Sequence, residues 1–132
     1  NLAALNGVGD RVRVGGEFFG EAFEAFAGRR VLVLMDAEGA EDDLLQPDLW
    51  PALRGMNLMV ETHNMYRPGV TLRLMERFGP SHDIELIRNA PRIAARPHWL
   101  EGLSHLDQLI AAWEWRAGPT PWLVMRPKAA RP

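Results

Sequence analysis

Acidic side chains and an imidazole concentrate in two short runs of this chain, Asp36-Ala37-Glu38-Gly39-Ala40-Glu41 and Glu61-Thr62-His63-Asn64. Each run follows a mostly apolar stretch, so each is placed at the end of a strand. Period-two alternation puts Asp36 with Glu38, and Glu61 with His63, on a common side if the extended geometry persists that far. With the two strands adjacent, three carboxylates and one imidazole converge. Such a set can bind a divalent metal through oxygen and nitrogen. Equally, it can supply a general base near neutral pH, from His63 or from a carboxylate raised by its like-charged neighbours. Each residue also has a plain structural reading: Asp36 caps a helix after Gly39, Glu41 pairs with a surface arginine, and His63 is a satisfied strand-end residue. The sequence alone assigns no residue as a metal ligand. Other chemistries lack their residues: there is no Gly-x-Ser-x-Gly elbow, no phosphate-binding loop and no Cys, hence no thiol nucleophile or thiolate zinc site.

The elements that must position these runs are legible from periodicity. Residues 1–7 end a helix at Gly7, and this reading outweighs a phosphate loop at Gly7-Val8-Gly9. Val12 and Val14 alternate with Arg11 and Arg13 as a short strand. Phe19, Phe23 and Phe26 form the apolar stripe of a helix that Gly28 closes. The five apolar residues 31–35 read as a central parallel strand buried on both faces. A helical segment over 40–45 meets Pro47, and 57–63 form a second parallel strand. A helix over 70–78 turns Leu72, Met75 and Phe78 to one side. Ile84 and Leu86 then alternate with Asp83 and Glu85 in a strand over 82–88, where His82 is structural. Residues 90–102 form a Pro- and Arg-rich loop whose Arg96, His98 and Trp99 are placed to touch substrate. Ser104 and Asp107 open a last helix that carries Leu106, Leu109, Ile110 and Trp113. A final strand runs through 121–126, with Trp113 and Trp122 in the core. Alternating strands and helices predict an α/β layered fold with a mainly parallel sheet. In such sheets ligands bind beyond the carboxyl ends of the strands, where both acidic runs lie.

Composition narrows the function. The 132 residues are 47% hydrophobic, and 15 Lys and Arg against 17 Asp and Glu give a net charge of −2 with the signs interspersed. No nucleic-acid partner is expected. No stretch approaches the ~20 apolar residues of a membrane span, and no signal peptide is read, so the expectation is a cytoplasmic protein. The chain begins at Asn1 inside a helix and without an initiator Met, which leads us to expect a fragment.

These runs also carry a family resemblance. VLVLMDAEGAEDDLL resembles the Asp-x-Glu-Gly-x-Glu segment of FkbM-type class I S-adenosylmethionine-dependent methyltransferases. NLAALNGVGDRVRVGGEF is similar to the stretch between their second and third strands, and MNLMVETHNMYRPGV to the fifth-strand segment. The likeness runs in order to about Asn89. It implies a Rossmann-like three-layer sandwich of strand order 3-2-1-4-5-7-6, with an antiparallel C-terminal edge. Residues 1–132 would then be a single partial domain, the C-terminal part of the enzyme, without strands one and two or the glycine-rich cofactor loop. S-adenosylmethionine is the implied cofactor, near Gly16, Glu17 and Phe18 at the third strand's end and Asp36 at the fourth's, though the 132 residues alone are expected to bind it weakly or not at all. The implied reaction moves a methyl group to an oxygen, or second to that a nitrogen, of a small-molecule or glycan acceptor, with Asp36, Glu38, Glu61 and His63 as catalytic residues. Two alternatives stay open: an α/β module that binds a metal or partner, and a metal-dependent hydrolase.

Overall fold

The computed structural model describes residues 2–89, 97–111 and 117–129. Its centre is a mixed, open sheet of four strands: β1 (Leu32–Met35), β2 (Asn57–Glu61), β3 (His82–Ile87) and β4 (Trp122–Pro127). Their spatial order is β1-β2-β4-β3. β1 and β2 are parallel, in register from Leu32 opposite Asn57 to Met35 opposite Val60. β4 is antiparallel to both neighbours, so β3 points the same way as β1 and β2. Among the described residues four α-helices accompany the sheet: α1 (Leu2–Leu5), α2 (Glu41–Leu44), α3 (Val70–Phe78) and α4 (His105–Ala111). The class is α/β, as the alternating pattern predicts, but the sheet expected to be mainly parallel is mixed: among the described strands β1 with β2 is a parallel pairing, and β2 with β4 and β3 with β4 are antiparallel. Among the described residues no helix is long and apolar enough to cross a membrane.

Alternation along the strands decides which face is buried. The registers place Val33, Met35, Leu58, Val60, Ile84, Leu86, Leu123 and Met125 on one side of the sheet. Val70, Leu74 and Phe78 of α3 join this side in the core, together with Leu45, Leu53 and Phe23. Each fully buried leucine or phenylalanine here contributes about 1.5–3 kcal/mol relative to exposure. On the opposite side Leu32 and Leu34 remain 65% and 66% exposed. That contrast leaves β1 with one covered face, and its place at the end of the described strand order makes it an edge strand.

Several sequence expectations are corrected. Residues 31–35 do not form a central strand buried on both faces: the described sheet gives β1 a partner on one side only, and Leu32 and Leu34 on its outer face are exposed. Residues 12–15 are not a strand; Val12 and Val14 are exposed, and no neighbouring strand takes register with them. An isolated alternating segment has no ladder to join. The phenylalanine helix is a 3-10 helix, Gly20–Phe26, and only Phe23 of the stripe enters the core. In α3 the buried stripe is Val70, Thr71, Leu74 and Phe78, while Leu72 faces solvent. Helix α4 forms and Ser104 caps it, its hydroxyl oxygen accepting from the Asp107 amide at 3.2 Å. Its Leu106, Leu109 and Ile110 are nevertheless exposed. Trp122 is half-buried. Arg96, Trp113 and most of the predicted 90–102 loop lie outside the described residues.

Candidate functional site at the carboxyl ends of β1 and β2

Asp36 follows the last residue of β1, and His63 lies two residues past β2. The parallel pairing of these strands delivers both to the same end of the sheet. Between Asp36 and α2 the chain makes a tight loop in which Glu38 takes a left-handed backbone, φ 50°, and Gly39 follows at φ 107°. A side chain at residue 39 would press on Tyr66, the nearest contact lying at 3.0 Å from an added Cβ. Glycine therefore fits here for two reasons, and the Glu38 conformation is the kind of backbone strain that clusters at functional sites.

Glu41 closes this loop from beneath. Its Oε1 accepts from the amides of Ala37 at 3.2 Å and Gly39 at 3.3 Å. The same oxygen lies 2.6 Å from His63 Nδ1. Glu41 and His63 are fully withdrawn from solvent, at 0% and 2% exposure. Glu41 does not pair with a surface arginine, and the cap position of α2 is Ala40 with no side-chain cap, so Asp36 does not cap that helix. The buried carboxylate orients the ring, and the ring's other nitrogen turns outward. His63 Nε2 faces Asp36 Oδ1 at 3.4 Å and Glu38 Oε2 at 3.7 Å. The Tyr66 ring stacks over His63 at 6.0 Å.

Glu61, also buried, completes the group. Its Oε1 accepts a hydrogen bond from Thr120 Oγ1 at 2.5 Å. Asp36 is held above the usual carboxylate range, first by loss of hydration and next by the Glu61 charge; His63 opposes the rise and Glu38 adds to it. An acid raised in this way is a better proton acceptor at its working pH than a fully hydrated aspartate. Of the four residues singled out in the sequence, Asp36, Glu38 and His63 thus come together, and Glu61 lies beside Asp36.

The remaining surroundings are polar and ordered. Asn64 Nδ2 donates to Thr71 Oγ1 at 2.6 Å, Thr71 Oγ1 lies 2.7 Å from Thr62 Oγ1, and Thr62 donates to the Pro121 carbonyl at 2.9 Å. This relay ties the end of β2 to the start of α3 and to β4. Beside it opens a cavity of about 450 Å³, lined by Asn64, Thr71, Leu72, Leu86, Arg88 and Asn89 among others. Gly16 and Glu17 are exposed, and Phe18 packs edge-on against Phe23 at 4.9 Å. Phe18 lines a second, apolar recess of about 360 Å³ along the open edge of β1 with Phe26 and residues 31–35. His98 is exposed and paired with Glu101, and Trp99 is exposed. His82 is structural, bonded to the Met56 carbonyl at 3.0 Å.

Sequence reasoning missed two members, Glu41 and Thr120. Glu41 stood in the quoted Glu-Gly-x-Glu run, but its burial depends on where His63 arrives. Thr120 lies 59 residues from Glu61 and carries no local signal of that contact. No family model matches the chain, and neither does any curated protein or solved structure.

Proposed function

We propose that this chain is the C-terminal part of an S-adenosylmethionine-dependent methyltransferase of the FkbM type. It would move a methyl group from the sulfonium to an oxygen, or second to that a nitrogen, of a small-molecule or glycan acceptor. The observation that carries the reading is the meeting of Asp36, Glu38, Glu61 and His63 at the carboxyl ends of two adjacent parallel strands. The strand order supports it: with β1, β2, β3 and β4 taken as the fourth to seventh strands, β1-β2-β4-β3 is the 4-5-7-6 half of the family's sheet. The edge of β1 left unpaired in the described sheet, lined by residues 31–35, is where the earlier strands would pair.

Transfer requires the acceptor oxygen, the methyl carbon and the sulfur to lie in line. The O–CH3 bond forms as the S–CH3 bond breaks, and the hydroxyl proton passes to a base. His63 Nε2, with Nδ1 anchored on Glu41, and Asp36, raised by its surroundings, are the groups poised to take it. The cavity beside Asn64 and Arg88 offers space for the acceptor.

Thermal unfolding of the intact protein with S-adenosylhomocysteine, Mg²⁺ or Mn²⁺ tests the reading. Stabilisation by S-adenosylhomocysteine without added metal is expected, growing with ligand concentration as binding to the folded state requires. Stabilisation by metal salts alone would replace this reading with a metal-binding module or a metal-dependent hydrolase.

A further inference from the structure

The two ring nitrogens of His63 meet different chemistry. Nδ1 lies 2.6 Å from Glu41 Oε1, and a carboxylate accepts hydrogen bonds, so the ring proton sits on Nδ1. In the neutral imidazole, Nε2 then presents a lone pair. That lone pair looks toward Asp36 Oδ1 and Glu38 Oε2, at 3.4 and 3.7 Å. Three electron-rich atoms turned toward one another repel unless a positive charge stands between them.

The spacing is informative about what that charge is. A charge-assisted N–H···O bond draws its atoms to about 2.7–2.9 Å. Ligands bound tetrahedrally at about 2.1 Å stand roughly 3.4 Å from each other. His63 Nε2 stands 3.4 Å from Asp36 Oδ1 and 3.7 Å from Glu38 Oε2, the longer of the two spacings.

Charge balance points the same way. Among the described residues no Lys or Arg forms an ion pair with Asp36, Glu38 or Glu41; the nearby Arg67, Arg73 and Arg77 are held by Asp43 and Asp42. Glu41 Oε2 is buried and, among the described residues, has no hydrogen-bond partner, which costs free energy for a charged carboxylate. Metal-bound histidines characteristically donate their other ring N–H to a carboxylate, which is the role Glu41 fills.

We propose that Asp36, Glu38 and His63 form a divalent-cation site, with Asp36 Oδ1, Glu38 Oε2 and His63 Nε2 as ligands and Glu41 as the positioning residue for the ring. A mixed oxygen and imidazole set selects a first-row ion such as Mn²⁺ or Zn²⁺ over Mg²⁺, which keeps an oxygen shell. Three protein ligands leave the ion a position open to an oxygen of solvent or substrate. The site uses the same two groups, His63 Nε2 and Asp36, that the transferase reading assigns to proton uptake; an ion held there occupies the Nε2 lone pair, so the two roles exclude each other while it is bound, and the cation site does not depend on that reading.

The test is Mn²⁺ titration of the purified protein without cofactor, followed by electron paramagnetic resonance of the free ion. One Mn²⁺ per chain is expected, displaced by Zn²⁺ but not by equimolar Mg²⁺. Electron spin-echo modulation from an imidazole nitrogen is expected in the bound state and should vanish in His63→Gln. Asp36 and Glu38 are half-exposed or more, so Asp36→Asn and Glu38→Gln should keep the fold and weaken binding at least tenfold. Glu41→Gln should weaken it by about 10–100-fold while circular dichroism stays unchanged. Absence of stoichiometric Mn²⁺ binding, or binding indifferent to Asp36→Asn and Glu38→Gln, would overturn the proposal. S-adenosylhomocysteine binding without Mn²⁺ binding would remove the cation site and leave the transferase reading intact; the converse result would do the reverse.

Discussion

Glu41 Oε1 stands 2.6 Å from His63 Nδ1, with both side chains out of contact with solvent. The pair joins α2 to the end of β2 and fixes which ring nitrogen faces Asp36 and Glu38. The same oxygen also holds the Ala37 and Gly39 amides, so one atom fastens the loop after β1 to the ring.

If that geometry serves proton removal, His63→Ala and Asp36→Ala in the intact protein should lower kcat by at least about 100-fold, in line with a lost general base. Affinity for S-adenosylhomocysteine should change much less. Steady-state kinetics with a competition binding assay separates the two, and unchanged turnover in both variants would remove these residues from the mechanism.

Arg77 joins α3 to α2. Its guanidinium donates to the carbonyls of Asp42 and Leu45 and to the Asp42 carboxylate, at 2.9, 2.8 and 2.9 Å. The hydrogen bond from Arg73, and next that from Arg77, hold Asp42 below the usual carboxylate range against the effect of burial. Arg77→Ala leaves two carbonyls without this donor and should cost about 1–3 kcal/mol in urea unfolding. Arg77→Lys, which cannot reproduce the fork, should recover only part of it.

His82 gives the fold a pH dependence of its own. Burial pushes its pKa below the usual histidine value; the Met56 carbonyl opposes this, Lys128 reinforces it, and Asp83 opposes it weakly. The lowered pKa favours the neutral ring, in which Nε2–H donates to the Met56 carbonyl and Nδ1 lies beside the Ser81 hydroxyl at 2.8 Å. Above the ordinary histidine pKa of about 6.5 both states are neutral and the stability is fully present. As the pH falls through that value the unfolded chain takes up a proton that the folded one resists, so stability drops until the lowered folded pKa is passed. Thermal midpoints measured from pH 7.5 to 5 should show this loss, and His82→Gln should flatten that part of the curve.

The two faces of the sheet should respond differently to truncation. Leu123 is fully buried between β2 and β3, so Leu123→Ala should cost about 2–5 kcal/mol. Leu34, 66% exposed on the opposite face of β1, should lose less than about 0.5 kcal/mol on change to Ala. Equal losses would mean that the outer face of β1 is covered in solution.

What the sequence by itself determined is local in origin. The alternation of Ile84 and Leu86 with Asp83 and Glu85 makes β3 half-buried, and the apolar run before Asp36 makes β1 extended, because side-chain period and β-branching act between neighbours. Gly7 ends α1 at φ 65°, as its position after a run of helix formers requires. Asp36, Glu38, Glu61 and His63 were also legible, since strand ends in α/β sheets gather polar residues. Tertiary structure alone decided the rest. β4 inserts between β2 and β3, an order that the family resemblance implies but that the residues' own pattern does not, since the pairing spans dozens of residues and no window of sequence displays it. Val12 and Val14 alternate as well as any strand, yet find no ladder. Glu41 has the look of a surface charge on a short acidic helix, and becomes the buried anchor of His63 only because parallel pairing of β1 with β2 brings the imidazole over it. A residue's burial is a property of what arrives from elsewhere in the chain, and that is why the anchor escaped a reading in which its ring partner did not.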